Sequence, residues 1–600
     1  MKKILTVSFL ICFFLFLSFA GAQEKAEEKP DPMKNFSLVT ETQPVPENVK
    51  SGFESITAED AMIYLRFISD DLLEGRDTGC DGYNIAALYA ASMFELWGIE
   101  PAGDPERPRY DMRSMMMSGG ASPASRSKRS YFQHVAMIET LGSEGSAEIQ
   151  WQKGSLKKTK TFKPDMDYSY YASETHSLTA PVVFVGYGVQ EPSLKFDEYK
   201  DIDVKGKFVM MLSEAPGKKD PDSPFNKGEL KEKYYPQRRF MRRSSSSSKL
   251  ATPQELGAVA VLLVENSPDE NPDVARRFLN SQAIYDERPI FPGDRRRISL
   301  LDNVGQTMYG QSLPVIQVSR QMANEILELV GQNIEGLKAK IEGNLKSQSM
   351  PLEGVNFTIE TVVETKLINS MNVLGYLEGS DPELKKEAVV VGAHLDHLGK
   401  RGDYIFNGAD DNGSGSVGIM EIAEAFAKNS IKPKRSVIFA LWTGEEKGLL
   451  GSSYYVAHPF IEKTYATLNL DMISRVYDKE RLMMMSRRWG ADIGKEVLEK
   501  IDAKRYVSLS YDAKTPEIEK IIRENNNHVG LHMNITAAED ASGGSDHAPF
   551  GRANIPWAFL IAAMTEDYHQ PSDSVEKVSP DLIEKITKIT YLTAFDLADK

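Results

Sequence analysis

The sequence predicts an α/β protein: a mostly parallel, mixed sheet sandwiched by helices, interrupted by an inserted β-rich block. Three observations lead there. From about residue 355 onward, short apolar runs alternate with helical segments, the pattern of strands buried on both faces and joined by crossover helices. Between about 140 and 345, short strands and turns dominate instead. A chain of 600 residues is also too long for one ordinary core, so two or more domains are expected.

The elements follow in chain order. Lys2 and Lys3 precede an apolar run from Ile4 to Ala20, and Ala20-Gly21-Ala22 supplies small residues for cleavage. Residues 1–22 therefore read as a secretory signal peptide. This implies an exported protein, periplasmic or extracellular, with no stable membrane insertion after cleavage. Residues 23–56 are rich in Glu, Lys, Pro and Asn without sustained period and read as a flexible leader.

Residues 57–139 start the α/β part. Thr57-Ala58-Glu59-Asp60 has the form of an N-cap with acids in the first turn, and a second helix fits Tyr83 to Trp97, ended near Gly98. Residues 111–130 and 242–248 are low-complexity tracts that read as surface loops. The block 140–345 has apolar runs at Ala180–Gly186, Gly206–Leu212, Ala258–Val264 and Leu313–Val318, with no accompanying cluster of His and carboxylates.

Residues 346–600 carry the alternating pattern. Strands fit Glu387–Ala393, Arg435–Trp442, Tyr465–Leu470 and Ile555–Ala562; helices fit Gly415–Lys428, 491–503 and Pro580–Leu597.

Charge and cysteine content narrow the function. The net charge of −15 argues against a nucleic-acid partner, which requires a basic face for phosphates. Of the two cysteines, Cys12 lies in the signal segment and Cys80 stands alone, so the mature chain has no internal disulfide.

Chemistry gathers at one edge. His394 and Asp396 follow the first strand, and Asp410 and Asp411 sit in a Gly-rich turn before a helix. Glu445 and Glu446 follow the next strand, Asp471 ends another, and Tyr568 and His569 follow the last. Open α/β sheets bind ligands past the carboxyl ends of their strands. So many carboxylates packed together repel one another unless cations intervene. Two His with several Asp/Glu suit zinc, and five such ligands fit two ions sharing one carboxylate. In the adjacent pair Glu445-Glu446 one carboxylate can be a ligand and the other a base. Asp396 is spaced to orient His394.

These residues resemble the co-catalytic di-zinc exopeptidases, a family that includes secreted bacterial leucyl-type aminopeptidases, glutamate carboxypeptidases and glutaminyl cyclases. The resemblance rests on six segments in order: Gly392 to His397, Gly408 to Gly415, Trp442 to Glu446 with Gly448 and Gly451-Ser452, Asn469 to Met472, Ser545 to Phe550, and Tyr568 to Asp573. Leu73 to Arg76 with Thr78-Gly79, and Pro101 to Asp104, resemble the family's amino-terminal region. The block 140–345 resembles a protease-associated domain in Phe184 to Gly188, Val204 to Lys207, Gly257 to Ala260 and Leu313 to Ile316.

The resemblance implies two Zn2+ ions. His394 and Asp471 would hold one, Glu446 and His569 the other, and Asp410 would bridge them, with a cis peptide at Asp410–Asp411. Glu445 would be the general base, Tyr568 an oxyanion donor, and Asp396 a catalytic-site residue that orients His394. Gln570 stands where Thr is commoner in the family, which bears on substrate preference. The implied activity is hydrolysis of the N-terminal bond of peptide substrates. A carboxypeptidase or dipeptidase is the alternative among enzymes, and a non-catalytic receptor or binding protein the alternative of another class.

Overall fold

The computed structural model describes residues 33–105, 129–142, 145–164, 167–170, 175–218, 220–234, 249–264, 296–301, 313–488, 495–541 and 544–600. The expected signal peptide, residues 111–128 of the first low-complexity tract and the tract at 242–248 lie outside these residues.

Among the described residues, two large sheets organise the chain. The larger has eleven strands. Its centre is the parallel set that the alternating pattern predicts: Glu387–His394 lies between Ser436–Trp442 and Lys463–Leu470, and Trp557–Ile561 runs parallel to Lys463–Leu470 on the far side. Antiparallel strands extend it, Val363–Leu377 against Ser436–Trp442 and Phe132–Gly142 against Val363–Leu377.

The apolar central strands bury both faces. Val389, Val391, Val437, Phe439 and Leu441 pack on one side with the helices Gly415–Lys428 and Pro580–Asp599. Ala388, Val390, Ile438, Ala440 and Trp442 pack on the other with Tyr455 and Phe550. A strand's period of two sends alternate side chains to opposite layers, and here both layers are dry.

The amino-terminal helices form as the sequence predicts. Thr57 caps Ala58–Ile68 by accepting the Asp60 N–H. The second helix, Asp81–Trp97, ends at Gly98 with φ 77, a left-handed turn that costs glycine little. The lone Cys80 caps its start, its sulfur 3.4 Å from the Tyr83 nitrogen.

The second sheet has eight strands. His176–Phe184, Phe208–Leu212, Ala260–Val264 and Val315–Val318 are parallel neighbours in that order and match the four apolar runs of the β-rich block. Their core is separate from that of the large sheet.

Two strands depart from the expected block. Met350–Thr361 pairs in the second sheet, so this body continues past residue 345. Arg296–Leu300, from inside the block, instead pairs with Phe132–Gly142 at the edge of the large sheet. Ile298 and Leu300 pack there with Leu450, a contact between distant segments that periodicity does not encode.

The described part of the leader is ordered too. Phe36–Leu38 adds an edge strand to His532–Ala538. Lys50–Ser55 is a helix whose Gly52 touches Tyr591 so closely that a Cβ would come within 2.2 Å of its hydroxyl. These few residues take order from the surface they cover, not from their own composition.

Phe426 packs against Phe439, Tyr591 and Phe595 at ring distances of 5.6, 5.0 and 6.2 Å. Phe426→Ala should cost about 3–5 kcal/mol, read as a lowered thermal unfolding midpoint. An unchanged midpoint would mean that this helix is not part of the stability-limiting core.

Candidate metal centre

Each site residue lies where a strand or turn releases it at the carboxyl edge of the sheet. His394 is the last residue of its strand and pairs across to Trp442, so Glu445 and Glu446 emerge beside it. Asp471 follows Lys463–Leu470. Tyr568 and His569 lie in the loop after Trp557–Ile561. Parallel strands in register bring their ends together, and the site forms where they end.

The two neighbouring aspartates separate sharply. Asp411 Oδ1 is 3.4 Å from His394 Nε2, and Asp411 Oδ2 is 3.2 Å from His569 Nε2. Asp410 turns away. Its Oδ1 accepts from the Ser474 N–H at 2.9 Å and the Ser474 hydroxyl at 2.6 Å. The expectation that Asp410 bridges is therefore corrected: Asp411 has the bridging geometry. The cis peptide likewise lies at Asp411–Asn412, one bond later than expected.

The turn is held from outside itself. Asp573 accepts the N–H groups of Asp410 and Asp411 at 3.0–3.1 Å and takes a 2.7 Å hydrogen bond from Arg475. Asn412 donates to the Leu470 carbonyl and accepts from the Gly415 N–H, both at 2.9 Å. A Cβ at Gly415 would come within 2.3 Å of Asn412 Oδ1 and 2.7 Å of the Leu470 carbonyl, so glycine permits the helix to start this close to the neighbouring strand end.

Around His394 stand Asp411, Asp471 with Oδ1 at 3.5 Å, and Glu445 with Oε2 at 3.9 Å. Around His569 stand Asp411 and Glu446, whose Oε2 is 3.3 Å away. Ser545 donates to Asp471 Oδ2 at 2.7 Å and accepts from Asn469 at 2.8 Å, leaving Oδ1 turned toward His394. Tyr568 stacks on His569 at 3.8 Å and is 37% exposed, at the rim.

Asp396 acts differently from its spacing's suggestion. Its backbone carbonyl, at 2.9 Å, meets His394 Nδ1, whereas the carboxylate is 3.9 Å away. That carboxylate instead accepts the N–H groups of Glu445 and Glu446 at 3.1 and 3.3 Å and the Thr78 hydroxyl at 3.1 Å. It thus fixes the backbone from which both glutamates project. Arg76, fully buried, lies beneath, donating to the carbonyls of Ile68, Leu395, Asn407 and Gly408. Sequence reasoning grouped Arg76 with the family's amino-terminal region without giving it this role.

Electrostatics mark the site as a place for cations. Burial pushes Asp396 up to about 6, with His394 opposing. It pushes Asp546 up to about 7, again against His394. It also holds Glu445 and Asp471 above the usual carboxylate range. Asp411 and Glu446 go the other way: burial raises both, and Glu446 also raises Asp411, but the adjacent imidazoles bring both below that range. His569, opposed by burial, rises to about 10 beside Glu446 and Asp411.

The donor set fits divalent metal. Asp471 Oδ1 is buried without a hydrogen-bond donor, which costs free energy unless something positive meets it. Donor atoms of His394, Glu445 and Asp471 lie within 4.8 Å of one another, as do those of His397, Asp411 and Glu446. In the sequence His397 closes the Gly392–His397 motif, and nothing in its spacing distinguishes it.

An α/β sheet that gathers imidazoles and carboxylates in two adjoining groups at its carboxyl edge has the donor set of a two-metal centre. Residues 372–594 match the model of Peptidase family M28.

The chain is 27% identical over 251 residues to leupeptin-inactivating enzyme 1 of Streptomyces exfoliatus, covering 40% of this chain and 46% of that one. It is 28% identical over 319 residues to leucine aminopeptidase 2 of Trichophyton equinum, covering 45% and 57%. The chain thus spans about half the length of the curated relatives it matches. The aminopeptidase from Aneurinibacillus sp. strain AM-1 shares the fold with a TM-score of 0.51 at 16% identity, over 92% of this chain and 95% of that one.

Replacing each aspartate in turn tests the correction. D411N should lower the metal content measured by inductively coupled plasma mass spectrometry by at least one equivalent. D410N should keep it. Equal metal content in both variants would remove Asp411 from the bridging position.

Proposed function

We propose that the chain is a zinc-dependent exopeptidase that removes residues from the amino termini of peptides. The observation that carries this reading is Asp411, one carboxylate oxygen toward His394 and the other toward His569, as a carboxylate shared by two ions requires. His394 and Asp471 would hold one zinc ion, Glu446 and His569 the other, with Asp411 between them. When bound, the ions polarise the scissile carbonyl and make water a nucleophile at neutral pH.

The chain's own groups do the rest. Glu445 is the general base: buried beside the first site, it takes a proton from the attacking water and passes it to the leaving amine. Asp396 keeps it in place by accepting its backbone N–H at 3.1 Å. Tyr568, at the rim, donates a hydrogen bond to the oxygen on which charge develops. Arg475 and Asp573 keep the bridging aspartate's backbone rigid while charge moves.

Several observations support the amino-terminal specificity and the setting. The relatives are named aminopeptidases. The second sheet carries the strands that resemble a protease-associated domain, a module suited to limiting or positioning substrates. The leader-like first 22 residues favour export, and no described helix is long and apolar enough to cross a membrane.

The deciding experiment incubates the purified chain with a short mixed peptide and zinc, and follows the products by mass spectrometry. Loss of successive residues from the amino terminus is expected. Loss from the carboxyl terminus would make it a carboxypeptidase, and an intact peptide would sink the peptidase reading for such substrates. E445Q should keep both metals and lose about 10²–10⁴-fold in kcat; a near-normal rate would remove Glu445 as the base.

A further inference from the structure

His397 has no part in the chemistry above, yet it is completely buried at the site. It follows the strand that ends at His394, and its N–H donates to the Arg76 carbonyl at 3.1 Å. Its ring lies against Gly408, where a Cβ would come within 2.5 Å of the ring's Cγ and Cδ2. Glycine at 408, with φ +56, is what lets the imidazole sit there.

The ring has one close polar neighbour. Nδ1 lies 2.8 Å from Glu446 Oε1. The two are not aligned as a hydrogen bond, and neither His397 nitrogen has another hydrogen-bond partner. Glu446 Oε2 faces His569 Nε2 at 3.3 Å. The two rings stand edge to face, with centroids 6.0 Å apart, and Glu446 reaches each imidazole with a different oxygen.

We infer that His397 is a positioning residue for the second zinc site: with Nδ1 only 2.8 Å from Glu446 Oε1, its Nδ1–H aligns onto that oxygen in the loaded site, so that Glu446 offers the ion a single oxygen, Oε2. The inference rests on the two-ion reading above. Carboxylates that bind metals are themselves oriented by hydrogen bonds, and such partners typically govern affinity by about 10–100-fold. A one-oxygen carboxylate suits four-coordinate zinc. Larger, harder cations such as calcium accept two-oxygen contacts at higher coordination number. His397 thereby sets both how tightly and how selectively the second site binds.

The test titrates zinc into the full chain, wild type against H397A and H397N, by competition with a chromophoric chelator, with thermal unfolding as a fold control. Wild type should bind two ions. H397A should keep the first and bind the second about 10–100-fold more weakly. H397N, whose amide N–H can replace Nδ1–H, should recover most of the loss. Undiminished second-site affinity in H397A overturns the proposal. So does an H397N as weak as H397A, since that would make the imidazole a direct ligand or mere packing. If H397A does not fold, H397N decides alone: near-native affinity supports the proposal and weakened affinity overturns it. Wild type binding no zinc would instead fail the two-ion reading itself, a result separable from either variant's behaviour.

Discussion

Like charges crowded into a dry site are the constraint from which much of this structure follows. Asp411, Glu445, Glu446 and Asp471 converge on His394 and His569 with little access to water. Isolated buried carboxylates of this kind would protonate or force the site apart. Their arrangement in two groups, each around an imidazole, makes the region a receptacle for two positive ions.

The surrounding backbone is secured by groups that never reach substrate. The Asp396 carboxylate pins the two glutamates by their N–H groups. Asp573 and Arg475 pin the aspartate turn. Arg76 joins the turn, the segment after His394 and the end of the first helix through carbonyls alone. Burial lowers its guanidinium to about 10, with Asp573, Asp396 and Asp411 opposing that shift. Its cationic form therefore persists at neutral pH, and one buried positive charge balances several negative ones nearby. Carbonyl ends, N–H ends and the guanidinium groups of Arg76 and Arg475 thus form a polar scaffold behind the clustered imidazoles and carboxylates.

Much of this was legible in the sequence, for identifiable reasons. The helix Gly415–Lys428 and the strand ending at Trp442 are long and strongly patterned, and their structural bounds lie within a residue of the expected ones. The strands Tyr506–Asp512 and His532–Ala538 were not anticipated, because Ser, Asn and Thr break up their apolar pattern and their pairing lies toward the sheet edge. Residues 33–56 read as a leader because a short strand and a six-residue helix carry too few apolar positions to show a period.

The sequence by itself determined the α/β class, the central strands and the residue types at the site, since burial on both sheet faces and cation binding each demand a recognisable composition. Which of two adjacent aspartates faces the site was decided only by the tertiary structure. Asp410 and Asp411 are the same side chain one position apart, and their directions are set by Ser474, Leu470 and Asp573, far along the chain. The same holds for Asp396, whose carboxylate serves a neighbouring strand's loop, and for His397, whose partner Glu446 lies across the sheet edge. A local pattern encodes periodicity and chemistry. The direction of a side chain in a turn depends on hydrogen-bond partners that only folding brings near.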